Sequence, residues 1–204
     1  LAWAVDQVPT SLTDAVTWLK DHLYEPEHLS LCWGDARMSN VLYDAEFNVS
    51  GVLDWEIAYL GDHEADLAWL LFLDWACSEY EGIPRLAGTP TRAETIQRYE
   101  LRSGFKERNL AYNEVLAAVL LAIPLLRIAE AFQLPPDTVA FCTRRIEQLI
   151  ADRPVLPRAA VTQVASAVIG EEEVIAIPAK EFIEALVADE PIRAGSTVQH
   201  VVPA

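Results

Sequence analysis

The stretch LCWGDARMSNVLYD, residues 31–44, sets an Asp, an Arg and an Asn between two apolar runs, and GVLDWEIAYL, residues 51–60, sets a second Asp among Val52, Leu53, Trp55 and Ile57. A carboxylate with such neighbours is costly unless it is paired or bound to a metal, so a positive group is expected against Asp54. An Asp and an Asn on a preceding loop would complete a small oxygen cage of the kind Mg²⁺ accepts, with water and substrate phosphates filling the other positions. Asp35 is then either a third ligand or a base standing slightly apart. Each residue also has an ordinary reading. Gly-Asp followed by Asn is common in turns, where the side chains cap backbone groups, and a buried Asp can be satisfied by an Arg such as Arg37. The ordered set, split by a hairpin, is what favours chemistry.

The elements that must hold these groups follow from periodicity. NVLY and VSGVLDW read as strands around the turn DAEFN, which puts Asp35 and Asn40 just before the first strand and Asp54 at the end of the second. Leu31 to Trp33 is a short apolar lead into the Gly-Asp segment. Before it, Leu12, Ala15, Val16, Leu19 and Leu23 recur at helical spacing, with Thr10 or Ser11 to cap the helix. After it, LGDHEAD reads as a loop, and DLAWLLFLDWA is apolar on nearly every side, as in a helix buried between other elements. EGIPRLAGTPT is a surface connection. RAETIQRYELRSG restarts a helix, with Glu94, Arg98 and Arg102 at pairing distance, and further helices are expected near 113–132 and 136–152. Trp55, Trp69 and Trp75 read as core rather than as a substrate platform, and His63 as a solvated loop residue.

With 31 acidic against 15 basic residues the net charge is -16, which disfavours nucleic acid and anionic membrane surfaces as partners. At 52% hydrophobic the 204 residues can build a sizeable core. Cys32, Cys77 and Cys142 lack the paired spacing of a zinc site or redox dithiol and suit a reducing cytoplasm. The apolar run Val115 to Leu126 is shorter than a membrane span, and Pro124, Arg127 and Glu130 suit a kinked core helix. No signal peptide opens the chain, and a start at Leu1 leads us to expect a piece of a longer protein. Composition shifts near DRPVLPRAA, which divides the chain into residues 1–154 and an Ala- and Val-rich extension, 155–204, with one short helix near 179–188 and a docking strap as its simplest role.

WGDARMSNVLYD followed by GVLDWEIAYLGDHEADLAWLL resembles the signature of the aminoglycoside phosphotransferase and choline kinase-like family: His-Gly-Asp, four residues, Asn, then Ile-Asp-Trp-Glu, Gly-Asp and Asp-Leu-Ala. The match covers about Leu31 to Leu71. It implies an α+β, mainly α fold, the C-terminal lobe of the protein-kinase-like architecture with a small β-hairpin bearing the catalytic and metal-binding loops. It also implies transfer of the γ-phosphoryl group of ATP, or another nucleoside triphosphate, to a hydroxyl of a small molecule. On that resemblance Asp35 is the catalytic base, Arg37 stands where protein kinases keep a phosphate-touching Lys, Asn40 and Asp54 hold Mg²⁺, and Asp66 steadies the catalytic loop. Arg37 could instead only pair with Asp54 or Asp66.

Two departures qualify it. Trp33 replaces the family's His and removes a group that orients the loop. The residues before the motif hold no Gly-rich phosphate loop, no strand with a phosphate-pairing Lys and no partner Glu helix, so the nucleotide lobe is expected from the parent protein as a partner. A non-catalytic kinase-like binding module and a metal-dependent phosphohydrolase are the rival readings. Nucleotide binding without turnover would mark the first, and metal-dependent phosphate release by this chain alone the second.

Overall fold

The structure, a computed structural model, describes residues 8–135 and 137–151. The extension expected over 155–204 and its short helix lie outside the described residues. The chain is mainly helical, with two small antiparallel sheets at one edge.

Helix α1, Thr10–Asp21, buries Leu12, Ala15, Val16 and Leu19, the stripe set by their spacing. Neither Thr10 nor Ser11 caps it. Pro9 precedes the helix at φ -54°, and its carbonyl accepts the first N–H groups, from Leu12 and Thr13. Strand β1, Leu29–Cys32, follows, then a single 3₁₀ turn, Met38–Asn40, and the hairpin β2, Val41–Tyr43, with β3, Val49–Val52. The hairpin pairs Val41 with Val52 and Leu42 with Gly51. Its turn is built on Asp44, whose carboxylate accepts the N–H groups of Glu46 and Asn48.

The segment read as the loop LGDHEAD begins with a strand instead. Strand β4, Tyr59–Asp62, pairs antiparallel with β1, Leu29 opposite Asp62 and Cys32 opposite Tyr59. His63 is correspondingly buried, not solvated. Its Nδ1 lies 3.0 Å from the Tyr99 hydroxyl, which in turn donates to the His63 carbonyl.

Helix α2, Ala65–Trp75, is apolar all round because it is covered on both sides. Trp69, Phe72 and Trp75 enter the main core with α1 and with helices α4, Leu110–Phe132, and α5, Ala140–Ala151; Leu67, Ala68 and Leu71 meet Leu110 in a smaller cluster. A five-residue π-helical turn, Ala76–Tyr80, continues α2. Helix α3, Arg92–Ser103, buries none of its residues fully; Ile96 and Tyr99 rest on the smaller cluster, the Tyr99 hydroxyl bonds His63, and both ends are capped. Glu94 spends its carboxylate on the N–H and hydroxyl of Thr91 in a capping box, and Gly104 closes the helix in the left-handed region.

By length and composition α4 could cross a membrane, which the shorter run Val115 to Leu126 did not suggest. It packs as the central core helix, buried from Leu110 to Val119, and runs on through the exposed Pro124. Within it Glu114 is fully buried and receives Arg92 of α3 and Arg145 of α5, the latter at 2.5 and 2.6 Å. One carboxylate thus ties three helices together.

Candidate active site

The site is a set of loops at the edge where both sheets meet the start of α2. Asp66, in the first turn of α2, accepts the backbone N–H of Trp33 at 2.7 Å and of Gly34 at 2.9 Å. Burial raises its pKa, and these two N–H groups pull it partly back. Gly34 is required here: its φ is 89°, and a Cβ would stand 2.4 Å from the Ile57 carbonyl oxygen. The loop after β1 is therefore pinned from below by Asp66 and crossed closely from above by the 53–58 segment.

On that loop the Asp35 carboxylate is gripped by three donors. Oδ2 accepts Asn40 Nδ2 at 2.8 Å and Arg37 Nε at 2.9 Å, and Oδ1 accepts the Trp69 indole N–H at 3.0 Å. Arg37 pairs with Asp35, not with Asp54 or Asp66, because it sits two residues along the same loop, on its exposed side. Trp69 was read only as core. It is core, and its ring edge also reaches the carboxylate: Asp66 and Trp69 lie three residues apart on one face of α2, so one helix grips the loop after β1 twice. The i, i+3 spacing was the available signal.

Asp54 departs from expectation. Its carboxylate is exposed, and nothing positive sits against it among the described residues. The apolar neighbours that made burial plausible are themselves about half exposed, Leu53 at 48%, Trp55 at 48% and Ile57 at 50%, so the desolvation that demanded a partner does not arise. Asp54 takes φ 63° two residues after the end of β3. The neighbouring Leu53 N–H donates to the Asn40 carbonyl at 2.9 Å, which brings the Asp54 turn against the Asn40 turn. Trp33 keeps a donor where the family's His would be: its indole N–H lies 2.8 Å from the Leu53 carbonyl and 3.0 Å from that of Asp54.

Two further acids in the motif region are structural. Asp62 is buried and accepts the Tyr24 hydroxyl and the Asn113 amide, the latter at 3.1 Å. Glu64 accepts the N–H groups of Arg108 and Asn109 at the start of α4, at 2.6 and 3.0 Å, with its pKa raised by burial. Glu64 was missed because its partners lie far along the chain. Asp62, His63 and Glu64 are close enough to share a metal, but the Asp62 and Glu64 oxygens already accept protein donors.

The donor set left over suits a divalent cation. Asn40 turns its Nδ2 to Asp35, and no protein donor among the described residues occupies its Oδ1 or the Asp54 carboxylate. Two hard oxygen donors on adjoining turns are the ligand type Mg²⁺ takes alongside substrate phosphates.

Residues 1–108, more than half of the chain, match the model of the phosphotransferase enzyme family, and the chain belongs to that family. A solved structure from Ralstonia eutropha, described as a candidate aminoglycoside phosphotransferase, superposes with a TM-score of 0.60 over 73% of this chain at 21% identity, a likeness of fold. Mouse acyl-CoA dehydrogenase family member 10 is 32% identical over 98 residues, 44% of this chain. The chain spans about half of the Ralstonia protein and 9% of the mouse protein, so neither name carries over to it.

Proposed function

We propose that this chain is the C-terminal, catalytic-lobe part of a small-molecule kinase that passes the γ-phosphoryl group of ATP, or another nucleoside triphosphate, to a hydroxyl of its substrate. The observation that carries the reading is the triply held Asp35 carboxylate together with two oxygen donors, Asn40 Oδ1 and the Asp54 carboxylate, that take no protein donor among the described residues. In this role Asp35 orients the acceptor hydroxyl and takes its proton as the new P–O bond forms. Asn40 and Asp54 would hold Mg²⁺, which would supply neutralisation of charge on the transferring phosphoryl group. Arg37, half exposed, serves either as a brace for Asp35 or as a phosphate contact on releasing it. Asp66 acts only through the backbone it holds.

The nucleotide lobe is the expected partner, supplied by the full-length protein. In support, the outer faces of both small sheets leave large apolar side chains uncovered among the described residues, Leu29 at 68% and Leu31 at 62% exposure. Three unpaired thiols agree with a cytoplasmic enzyme.

The test is ADP formation by the full-length protein with Mg²⁺ and ATP over a panel of aminoglycosides, choline, sugars and hydroxyacids. The reading expects one class to stimulate turnover and Asp35→Asn to abolish that stimulation. Equal turnover in the wild type and the variant would remove Asp35 from the role.

A further inference from the structure

Asp54 is held in a backbone conformation that residues with a Cβ adopt rarely, and such a conformation persists only where the surroundings over-determine it. The surroundings here are two indoles. Trp55 Nε1–H donates to the Val52 carbonyl at 3.0 Å, and Trp33 Nε1–H is shared between the carbonyls of Leu53 and Asp54. Three successive carbonyls are thereby fixed, by rings whose centroids lie 6.0 Å apart. Trp33 is itself immobilised, since its backbone N–H is bonded to Asp66, and it stands two residues before Asp35.

We propose that Trp33 is a positioning residue: its indole N–H clamps the left-handed turn at Asp54 to the loop that carries Asp35 and Asn40, and so sets the geometry with which Asp54 and Asn40 bind a divalent cation. The metal half of this inference rests on the phosphotransferase reading above; the clamp does not. The departure at Trp33 is then a substitution of one N–H donor by another with longer reach. It does not weaken the loop, and it removes a reason for reading the chain as a catalytically silent module.

The experiment uses the full-length protein with Trp33→Phe, which keeps an aromatic ring and loses the N–H, and Trp33→His, which offers a donor on a shorter ring. Hydrogen–deuterium exchange over residues 52–58 reads the clamp without metal or nucleotide. Mn²⁺ affinity in the presence of an unhydrolysable ATP analogue, from the spectrum of free Mn²⁺, reads the consequence without turnover. One lost hydrogen bond leads us to expect exchange about tenfold faster and Mn²⁺ binding about five- to tenfold weaker in Trp33→Phe, with partial recovery of both in Trp33→His. The melting temperature should move by only about 2–4 °C, which separates positioning from global destabilisation. Unchanged exchange in folded Trp33→Phe overturns the clamp. Faster exchange with Mn²⁺ affinity unaltered in both Trp33→Phe and Asp54→Ala overturns the metal assignment of Asp54 while the clamp stands.

Discussion

The helical body and the loop edge of this molecule are held by different forces. In the body, α1, α2, α4 and α5 bury a continuous set of apolar side chains, and the buried carboxylate of Glu114, which ties three helices together, meets two guanidinium groups. At the edge, much of the apolar surface of the two sheets faces outward, and the loops are fixed by individual hydrogen bonds, from the Trp33 and Gly34 backbone N–H groups to Asp66 and from two indoles to three carbonyls. Burial is non-directional and large in sum; a hydrogen bond is directional and worth about 1 kcal/mol net. A site that must place a few oxygens accurately is therefore built from the second and anchored on the first. Cutting an edge contact should damage function more than stability, and cutting a body contact the reverse.

Asp35→Asn tests that contrast at its largest. It removes a proton acceptor but keeps shape, and its oxygen can still accept Trp69 or Asn40, so phosphoryl transfer should fall by roughly 10²–10⁴-fold while the melting temperature stays within a few degrees. Single-turnover phosphoryl transfer and a thermal melt on the same preparation check it. A variant that unfolds would show the edge to be part of the stability core.

Glu114→Ala is the counterpart in the body. It strands Arg145, which is largely buried, and half-exposed Arg92 beside it, so unfolding in urea should show a loss of about 3 kcal/mol, the low end for breaking a buried pair because Arg92 can reach water. Relative metal affinity of the fraction still folded should not change.

What the sequence revealed follows the same division. The amphipathic stripe of α1, the all-round apolar α2 and the β2–β3 hairpin are local patterns, and each was legible. The motif order also placed Asp35, Asn40 and Asp54 on the turns flanking the hairpin. The contacts made across the chain were not legible. Strand β4 is short and exists by pairing with β1 some thirty residues earlier in the chain, and the Trp69 and Trp33 indoles reach partners 34 and 20–21 residues away. The environment of Asp54 was misjudged because apolar neighbours show that burial is favourable, not that something covers them.

Trp69 belongs to both regions and sharpens the comparison. Its ring is in the main core and its N–H is on Asp35. Trp69→Phe keeps most of the packing and removes the donor, so kcat should drop about tenfold with KM for the nucleotide unchanged, alongside a loss of roughly 1–2 kcal/mol in stability from the smaller ring. A fall in stability alone would return Trp69 to the core and leave Asp35 oriented by Asn40 and Arg37.

The support under the loop should be visible in pH dependence. Burial, the dominant cause, raises the pKa of Asp66 above its ordinary 3.8, so between that value and the raised one the native state holds more protons than the unfolded chain. The contribution of this group to stability is therefore full below about 3.8 and is lost as pH rises through the native value. Asp66→Asn should flatten that part of the stability–pH curve by a fraction of a kcal/mol per unit, measured by urea unfolding at several pH values. An unchanged slope would assign it to Glu64, which burial shifts the same way.

The smallest effect is expected at the sheet edge itself, and it depends on what else is present. Leu31 points outward from β1 and is mostly exposed in this chain, so Leu31→Ser should change the stability of the isolated chain by no more than about 0.5 kcal/mol. If the nucleotide lobe of the full-length protein packs on this face, the same substitution there forfeits the burial of a Leu, about 1.5–3 kcal/mol. The difference between the two measurements isolates the interface from the intrinsic strand, because any effect on β1 itself enters both and cancels. A matching cost in chain and full-length protein would mean that the apolar edge faces solvent in both, and the lobe would then have to meet the catalytic loops by another surface.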